Sequence, residues 1–431
     1  MGSGKRQPAA GLFRAAASVR LAAALCLCLL TLLPNALAAA GEPQAPLVFG
    51  MSAPFTGPNR GLGIEYYRGI TAYLSHVNEQ GGVNGRRIEI LPLDDGYNPE
   101  PAVRNTIRLV REDKVFALFS YVGTPTVSRV LPLLERFQDE HVTLLFPLTG
   151  ARLHREPPYG RYVYNLRASY FEETRALVEH FVAAGRTRLA VLFQEDAYGR
   201  SGWDGVRRAL TTYNLELAGE AAYARSAGFD ADFGPQVRVL AASKPEAIIT
   251  IGTYAACAAF IRDARDAGLT APIACVSFSD ADNMVKLLLQ ARRPGGQDYT
   301  VRLVCSQVVP SYQDVALPAV ALYRRLMDRY AQMPPEGLAE PYAPNRYSSV
   351  SLEGFLNAVV LAEVVRRMPA ANPRRQDIPA AVESLKDFDL GIGVPLNFSS
   401  GQHQALNSIY FTTVRGGVLV PLTDWTEWSG S

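Results

Sequence analysis

From residue 47 onward, short apolar runs alternate with longer stretches whose apolar positions fall three and four residues apart. The runs 47–51, 87–93, 115–120, 142–147, 189–194, 247–251 and 273–277 are rich in β-forming residues and bounded by Gly, Pro, Asp or Ser. Short continuous apolar runs of this kind predict buried strands of a parallel sheet. Between them, 62–77 carries Leu62, Tyr66, Ile70, Tyr73, Leu74 and Val77 on one stripe at the 3.6-residue period, and 102–110 and 173–184 behave similarly. Strands alternating with helices predict α/β doubly wound sheets flanked by helices. The segment 161–166 is one more extended run, after which the series restarts. Two sequential α/β lobes are therefore more economical than one very large sheet. Beyond 308 the pattern changes to two long helices, 313–331 and 346–368, separated by the Pro-rich 333–345. From 392 it changes again, to short strands with turns at Gly401-Gln402 and Gly416-Gly417, which suit hairpins added to a sheet edge.

The first 40 residues do not join this pattern. Lys5, Arg6, Arg14 and Arg20 precede a 13-residue run, Leu21 to Leu33, that is apolar except for Thr31. Pro34 and the small residues Ala36-Leu37-Ala38-Ala39-Ala40 follow. Basic start, apolar run and Ala-x-Ala site make a secretory signal peptide, residues 1–40, cleaved after Ala38 or Ala40. The run is short of the roughly 20 residues that span a bilayer. Cys26 and Cys28 lie within it behind bulky Leu25 and Leu27, so they go with the leader rather than forming a lipidation site. Loss of the four basic residues turns a formal charge of +2 into about −2. A near-neutral chain without basic clusters argues against nucleic acid or a polybasic membrane surface. Cys257, Cys275 and Cys305 sit in apolar surroundings, where one bridge or three buried thiols are both open. With no C-x-x-C, no Cys/His cluster and only five His, a metal site is not expected.

Several turns carry a further signal. Gly81-Gly82 stops the first helix, since Gly takes a left-handed C-terminal position cheaply, and Asn84-Gly85 makes a tight turn. Asp94-Asp95 with Pro99 and Ala102-Val103, Thr124, Pro147-Leu148-Thr149-Gly150, and Asp196-Ala197-Tyr198-Gly199 follow in order. Together these motifs resemble the leucine/isoleucine/valine-binding family of periplasmic solute-binding proteins, over about residues 46–425. The resemblance implies a type I periplasmic-binding fold: two Rossmann-like lobes with parallel sheets, joined by a three-segment hinge. It implies lobe 1 at 46–166 and 308–388, and lobe 2 at 167–307 and 389–431. It further implies a periplasmic substrate-binding component of an ABC importer, working as a monomer with a membrane permease and closing on a small-molecule ligand. A periplasmic sensor acting with a separate signalling partner is the alternative.

Open α/β sheets bind ligands at the carboxyl ends of their strands. That rule selects the loops 54–63, 121–125 and 148–151 in the first lobe, and 195–199, 252–255 and 277–280 in the second. In the first lobe, Tyr121, Gly123 and Thr124 lead into a helix, with Thr124 at the N-cap position and Pro125 at N1. Free N–H groups there favour an anion, although Thr124 could equally just cap its own helix. Leu148, Thr149 and Gly150 add backbone donors and a hydroxyl. By resemblance these two loops hold the ligand's carboxylate. Tyr198 and Tyr254 would face them from the second lobe as aromatic walls with phenolic hydrogen bonds. The amino-acid binders of the family commonly place an acidic residue where this chain has Ser277, beside Phe278. Asp280 could replace it, or cap the helix beginning at Ala281. Without that acid a buried ammonium group would be unpaired, so beside amino acids the expected ligands include a bulkier or aromatic carboxylate, or another small metabolite without an α-amino group. No cofactor is expected. The chain has no G-x-S-x-G, H-E-x-x-H, P-loop or complete G-x-G-x-x-G motif, so no enzyme is expected either.

Overall fold

A computed structural model describes residues 1–5, 44–292 and 296–428. The expected signal peptide lies outside the described residues beyond position 5. The chain divides into two units, Met1–Ala45 and Pro46–Ser431. Among the described residues the first strand is β1 (Gln44–Ala53).

The predicted alternation is realised. After β1 come α1 (Arg60–Glu79), β2 (Arg86–Asp94), α2 (Pro99–Arg111), β3 (Ala117–Phe119), α3 (Thr124–Arg136), β4 (Leu144–Leu145) and β5 (Val163–Tyr164). These strands form one sheet in the order β2-β1-β3-β4-β5. The β1–β3, β3–β4 and β4–β5 pairs are parallel, and β4 and β5 contribute two residues each. Gly82 shows why the first turn is glycine-rich. It holds φ at 77°, and a Cβ there would lie 2.0 Å from the Arg86 carbonyl.

The chain then builds a second sheet. In order come α4 (Tyr170–Ala183), β6 (Leu189–Gln194), α5 (Ala197–Thr211), β7 (Gly219–Tyr223), α6 (Gly234–Ala242), β8 (Ala247–Ile251), α7 (Tyr254–Asp266), β9 (Ile273–Cys275), α8 (Ala281–Ala291) and β10 (Leu303–Gln307). It returns through α9 (Pro318–Tyr330) and α10 (Ser349–Arg367), which pack on α1, and then α11 (Ile378–Glu383). A two-stranded ladder, β11 (Phe388–Asp389) with β12 (Pro395–Leu396), precedes the final hairpin. That hairpin, β13 (Tyr410–Arg415) and β14 (Val418–Pro421), turns at Gly416-Gly417, both at positive φ. It adds antiparallel to β10 at the edge of a seven-stranded sheet ordered β14-β13-β10-β9-β8-β6-β7. Each sheet alternates with helices, so the chain is the α/β fold with parallel sheets that the pattern predicts.

A continuous apolar core runs through both sheets, and a smaller cluster lies beneath α2 and α3. Residues 398–404 contact the first sheet: Phe398 stacks on Phe146 and His403 stacks on Tyr164 at 4.1 Å. Cys257, Cys275 and Cys305 are buried free thiols. Cys275 and Cys305 stand opposite each other on β9 and β10. Burial raises the Cys257 thiol to about 11, which makes it a poor nucleophile. Among the described residues, no helix is long and apolar enough to cross a membrane, and no cluster of His, Cys, Asp and Glu could hold a metal ion.

Candidate functional site

Loops at the carboxyl ends of the two sheets' strands meet, with Tyr97 against Phe278 and Thr124 against Tyr170, and make the candidate site. On the first-sheet side, Gly123 holds φ at 109° and is itself the N-cap of α3. Thr124, expected at the cap, is the first helical residue and caps nothing. Its hydroxyl instead meets the Thr149 hydroxyl at 2.7 Å and the Tyr170 hydroxyl at 3.2 Å. The two loops are locked together by Gly123 N–H donating to the Leu148 carbonyl at 3.2 Å and Leu148 N–H donating to the Tyr121 carbonyl at 2.8 Å. Gly150 accepts from Tyr170 N–H at 2.8 Å, and a Cβ on it would meet the Tyr170 ring at 2.5 Å. Arg155, half-buried and with its pKa lowered to about 10 by desolvation and by neighbouring Arg167, donates to the carbonyls of Thr149, Ala151 and Arg167. It thereby ties the Thr149 loop to the crossing between the sheets.

Tyr121 does not belong with this group. Its ring is in the smaller core beneath α2 and its hydroxyl pairs with Thr106 at 3.1 Å. Successive residues of an extended strand point to opposite faces, and Tyr121 takes the inner one. The Leu148 side chain is also buried core, and that residue contributes through its backbone.

On the second-sheet side, Tyr198 and Phe278 are fully buried with ring centroids 4.8 Å apart. Tyr170, from the crossing, closes on Tyr198 at 5.2 Å. Tyr97, from the loop after β2, reaches Phe278 at 6.1 Å. Four rings from both sheets thus converge beside the Thr124–Thr149 pair. The Tyr198 hydroxyl donates to the Gly252 carbonyl at 3.2 Å. Tyr254 stands further out, where its hydroxyl accepts Gly61 N–H at 3.2 Å. It lines a cavity of about 600 Å3 together with Arg60, Lys286 and Tyr342.

Ser277 holds the main surprise. An acid does reach it, from α4 rather than from its own loop. Glu173 accepts Ser277 N–H at 2.7 Å, the Ser277 hydroxyl at 2.9 Å and the Ser306 hydroxyl at 2.7 Å. Arg167 donates to both Ser277 and Glu173, and faces Glu353 of α10 at 3.5 Å. Burial alone would lower the Arg167 pKa, but Glu353 and Glu173 more than offset it and keep the guanidinium charged. Burial pushes Glu353 up to about 7. Asp280 accepts Asn283 N–H at 3.2 Å, so it caps α8 rather than standing in for the acid. Asp94 and Asp95 are structural too. Asp94 accepts Phe55 N–H at 2.7 Å, and Asp95 accepts the Ser52 hydroxyl at 2.8 Å and Tyr97 N–H at 2.9 Å, which seats Tyr97.

Of the expected residues, Gly123, Thr124, Thr149, Gly150, Tyr198 and Phe278 come together, and Ser277 sits at the edge in its ion pair. Tyr97, Arg167, Tyr170 and Glu173 went unnamed. The strand-end rule, extended to the ends of β2 and β5, points to Tyr97, Arg167 and Tyr170. Glu173 had no such signal, since it lies on a helix.

A family model described as periplasmic binding protein matches residues 46–418. The chain belongs to the periplasmic binding protein family. Within it, a possible leucine/isoleucine/valine-binding protein from Rhodopirellula baltica is 30% identical with a TM-score of 0.78, covering 91% of this chain and all of that one. A substrate-binding periplasmic protein from Ralstonia solanacearum is 27% identical with a TM-score of 0.76, covering 87% of this chain and all of that one. An amino acid binding protein of Pseudomonas aeruginosa is 27% identical over 259 residues, 59% of this chain and 65% of the relative. The chain thus spans somewhat under two thirds of the curated relative's length. The resemblance to leucine/isoleucine/valine-binding proteins and the type I periplasmic-binding fold are both borne out. Solute binding, rather than catalysis, is the business of this family.

Proposed function

We propose that the chain is the substrate-binding component of an ABC importer, exported to the periplasm by its signal peptide and delivering ligand to a membrane permease. The ligand is a small carboxylate-bearing solute, held between the sheets and enclosed by hinge closure. The sequence resemblance puts lobe 1 at 46–166 and 308–388 and lobe 2 at 167–307 and 389–431. The contacts of Phe398 and His403 with the first sheet favour moving the third crossing to just after Gln404.

The carrying observation is the Thr124–Thr149 hydroxyl pair at the start of α3, directly beside the rings of Tyr170 and Tyr198. Hydroxyls and helix N-terminal N–H groups suit a carboxylate, and the rings suit an apolar or aromatic body. Glu173 is already engaged by Ser277, Ser306 and Arg167, leaving little to neutralise an ammonium group. The reading therefore favours aromatic and other carboxylates without an α-amino group over free amino acids.

Thermal-shift titration of ligand-stripped protein tests this, because a ligand of the native state raises the Tm by mass action. Arylcarboxylates should raise the Tm by several degrees, while leucine and valine at equal concentration leave it unmoved. A response to amino acids alone would refute the preference, and mass spectrometry of whatever denaturation releases would name the resident solute.

A further inference from the structure

A second cavity, of about 490 Å3, shares no lining residue with the proposed cleft. Its walls come from β10 and the segment leaving it (Gln307, Val309), from the loop after β11 (Ile392), and from the residues entering the last hairpin (Ile409, Phe411). Those are the places where the chain leaves the second sheet and later rejoins it. The volume is in the range of small-molecule pockets, and the lining is mostly carbon.

One polar group in it is unexplained. Gln307 is 3% exposed, its backbone is paired with Tyr410 across the β10–β13 ladder, and it lines the cavity. Among the described residues its side-chain NH2 has no hydrogen-bond partner. Several of the cavity's other polar side chains are engaged. Tyr312 donates to Asp282 at 2.8 Å, Ser311 accepts Gln313 N–H at 3.2 Å, and Thr412 donates to the Cys305 carbonyl at 3.4 Å. A buried donor without an acceptor is costly, and native structures seldom retain one without a use. The lining also constrains charge. Among its described residues there is no Lys, Arg or His, while Asp314 is acidic. An anion would find no counter-charge there, and an ammonium group would meet a mainly apolar wall.

We propose that this cavity is a second binding site, for a small neutral, largely apolar molecule with one carbonyl acceptor that takes a hydrogen bond from the Gln307 amide. The site differs in kind from the cleft, which offers hydroxyls and a helix N-terminus to an anion. Because its walls include both the outgoing and the returning chain, an occupant bears on the crossings. That consequence, unlike the site itself, rests on the hinge closure proposed above.

The test uses the full mature chain and two probes, 4-phenylbutan-2-one and propylbenzene, in ligand-observed NMR titrations. The ketone should bind saturably, at least tenfold more tightly than the hydrocarbon. Gln307→Leu should abolish that preference. Ile409→Trp, at a half-buried position, should fill the cavity and remove binding of both probes, with circular dichroism confirming the fold. Thr124→Val, in the cleft, should leave ketone binding unchanged, so that a wrong assignment of the cleft ligand does not touch this result. The proposal is overturned if the ketone fails to saturate, if Gln307→Leu retains the preference, or if Ile409→Trp still binds the ketone.

Discussion

The two walls of the proposed cleft are built by opposite means. The first-sheet wall is made of small residues, Gly123, Thr124, Thr149 and Gly150, whose useful groups are hydroxyls and backbone atoms fixed by short loops. The second-sheet wall is made of large rings, Tyr198 and Phe278, extended by Tyr170 from the crossing. The smallness of the first wall is a condition for the rings packed on it. A Cβ at Gly123 would lie 2.6 Å from the Tyr97 ring, and one at Gly150 would lie 2.5 Å from the Tyr170 ring. Rings can therefore lie flush against the loops that present donors. Donor geometry is set by backbone, while the shape of the space is set by side chains.

Behind each wall lies a buried acid, and pH separates the two. Burial raises Asp95, behind the first wall, to about 7, and raises Asp280, behind the second, to about 8. Both start from an ordinary value of 3.8. An acid whose folded pKa lies above its unfolded pKa adds stability below the unfolded value, and that stability is lost as pH rises through the folded value. Each acid should therefore make the protein less stable between pH 4 and 7 or 8, by up to about 1.4 kcal/mol per pH unit. Asp280→Asn keeps a residue able to cap α8 and tolerant of the left-handed φ of 55° found there. Urea unfolding from pH 4 to 9 should show a shallower fall for Asp280→Asn up to pH 8, and for Asp95→Asn only up to pH 7. Identical slopes in wild type and variant would show that the acid in question is not held protonated.

The ion pair at Ser277 is a sharper way to break the second wall. Arg167 is 2% exposed and faces Glu173 and Glu353 together. Removing one partner of a buried pair strands charge, which typically costs about 3–5 kcal/mol. Arg167→Met should lose about that much at pH 8, measured by urea unfolding. The loss should shrink at pH 5, because Glu353, raised to about 7, is protonated there and needs no counter-charge. Adding Glu173→Gln should recover part of the loss. A loss below about 1 kcal/mol would mean that the triad is not a charged unit.

The same contrast governs what could be read from the sequence. Strands 189–194 and 247–251 emerge with the bounds their apolar runs predict, because both are buried on two faces in the interior of the sheet. The edge strand Gly219–Tyr223 carries two Ala and a Glu and is half exposed, so no apolar run marks it. Leu303–Gln307 ends on the polar Ser306 and Gln307, so only three of its residues make an apolar run, too short to mark a strand. The first wall was legible because local turn chemistry makes it: Gly123, Thr124, Thr149 and Gly150 follow strand ends directly. The second wall's charge was not, since Glu173 and Ser277 are 104 residues apart and meet only through packing. Tyr121 misled for a related reason, as the strand-end rule selects a loop but not the face each side chain takes.

The finest test bears on the first wall alone. Thr124→Val keeps the shape of the side chain and removes one hydroxyl, which the structure bonds to Thr149 and Tyr170. Were that hydroxyl structural only, the loss would be one or two buried hydrogen bonds, roughly 1–2 kcal/mol of stability, with ligand affinity little changed. If it contributes to holding a carboxylate, affinity falls as well, by about tenfold for a lost bond to a charged group worth about 1.4 kcal/mol. The two outcomes part most clearly with a pair of ligands that share an aromatic body, one an arylcarboxylate and the other its primary amide. Calorimetry should show Thr124→Val weakening the carboxylate about tenfold and the amide less. Equal weakening of both would reduce Thr124 to a support for the loops, leaving the N-terminus of α3 and Thr149 to orient the anion.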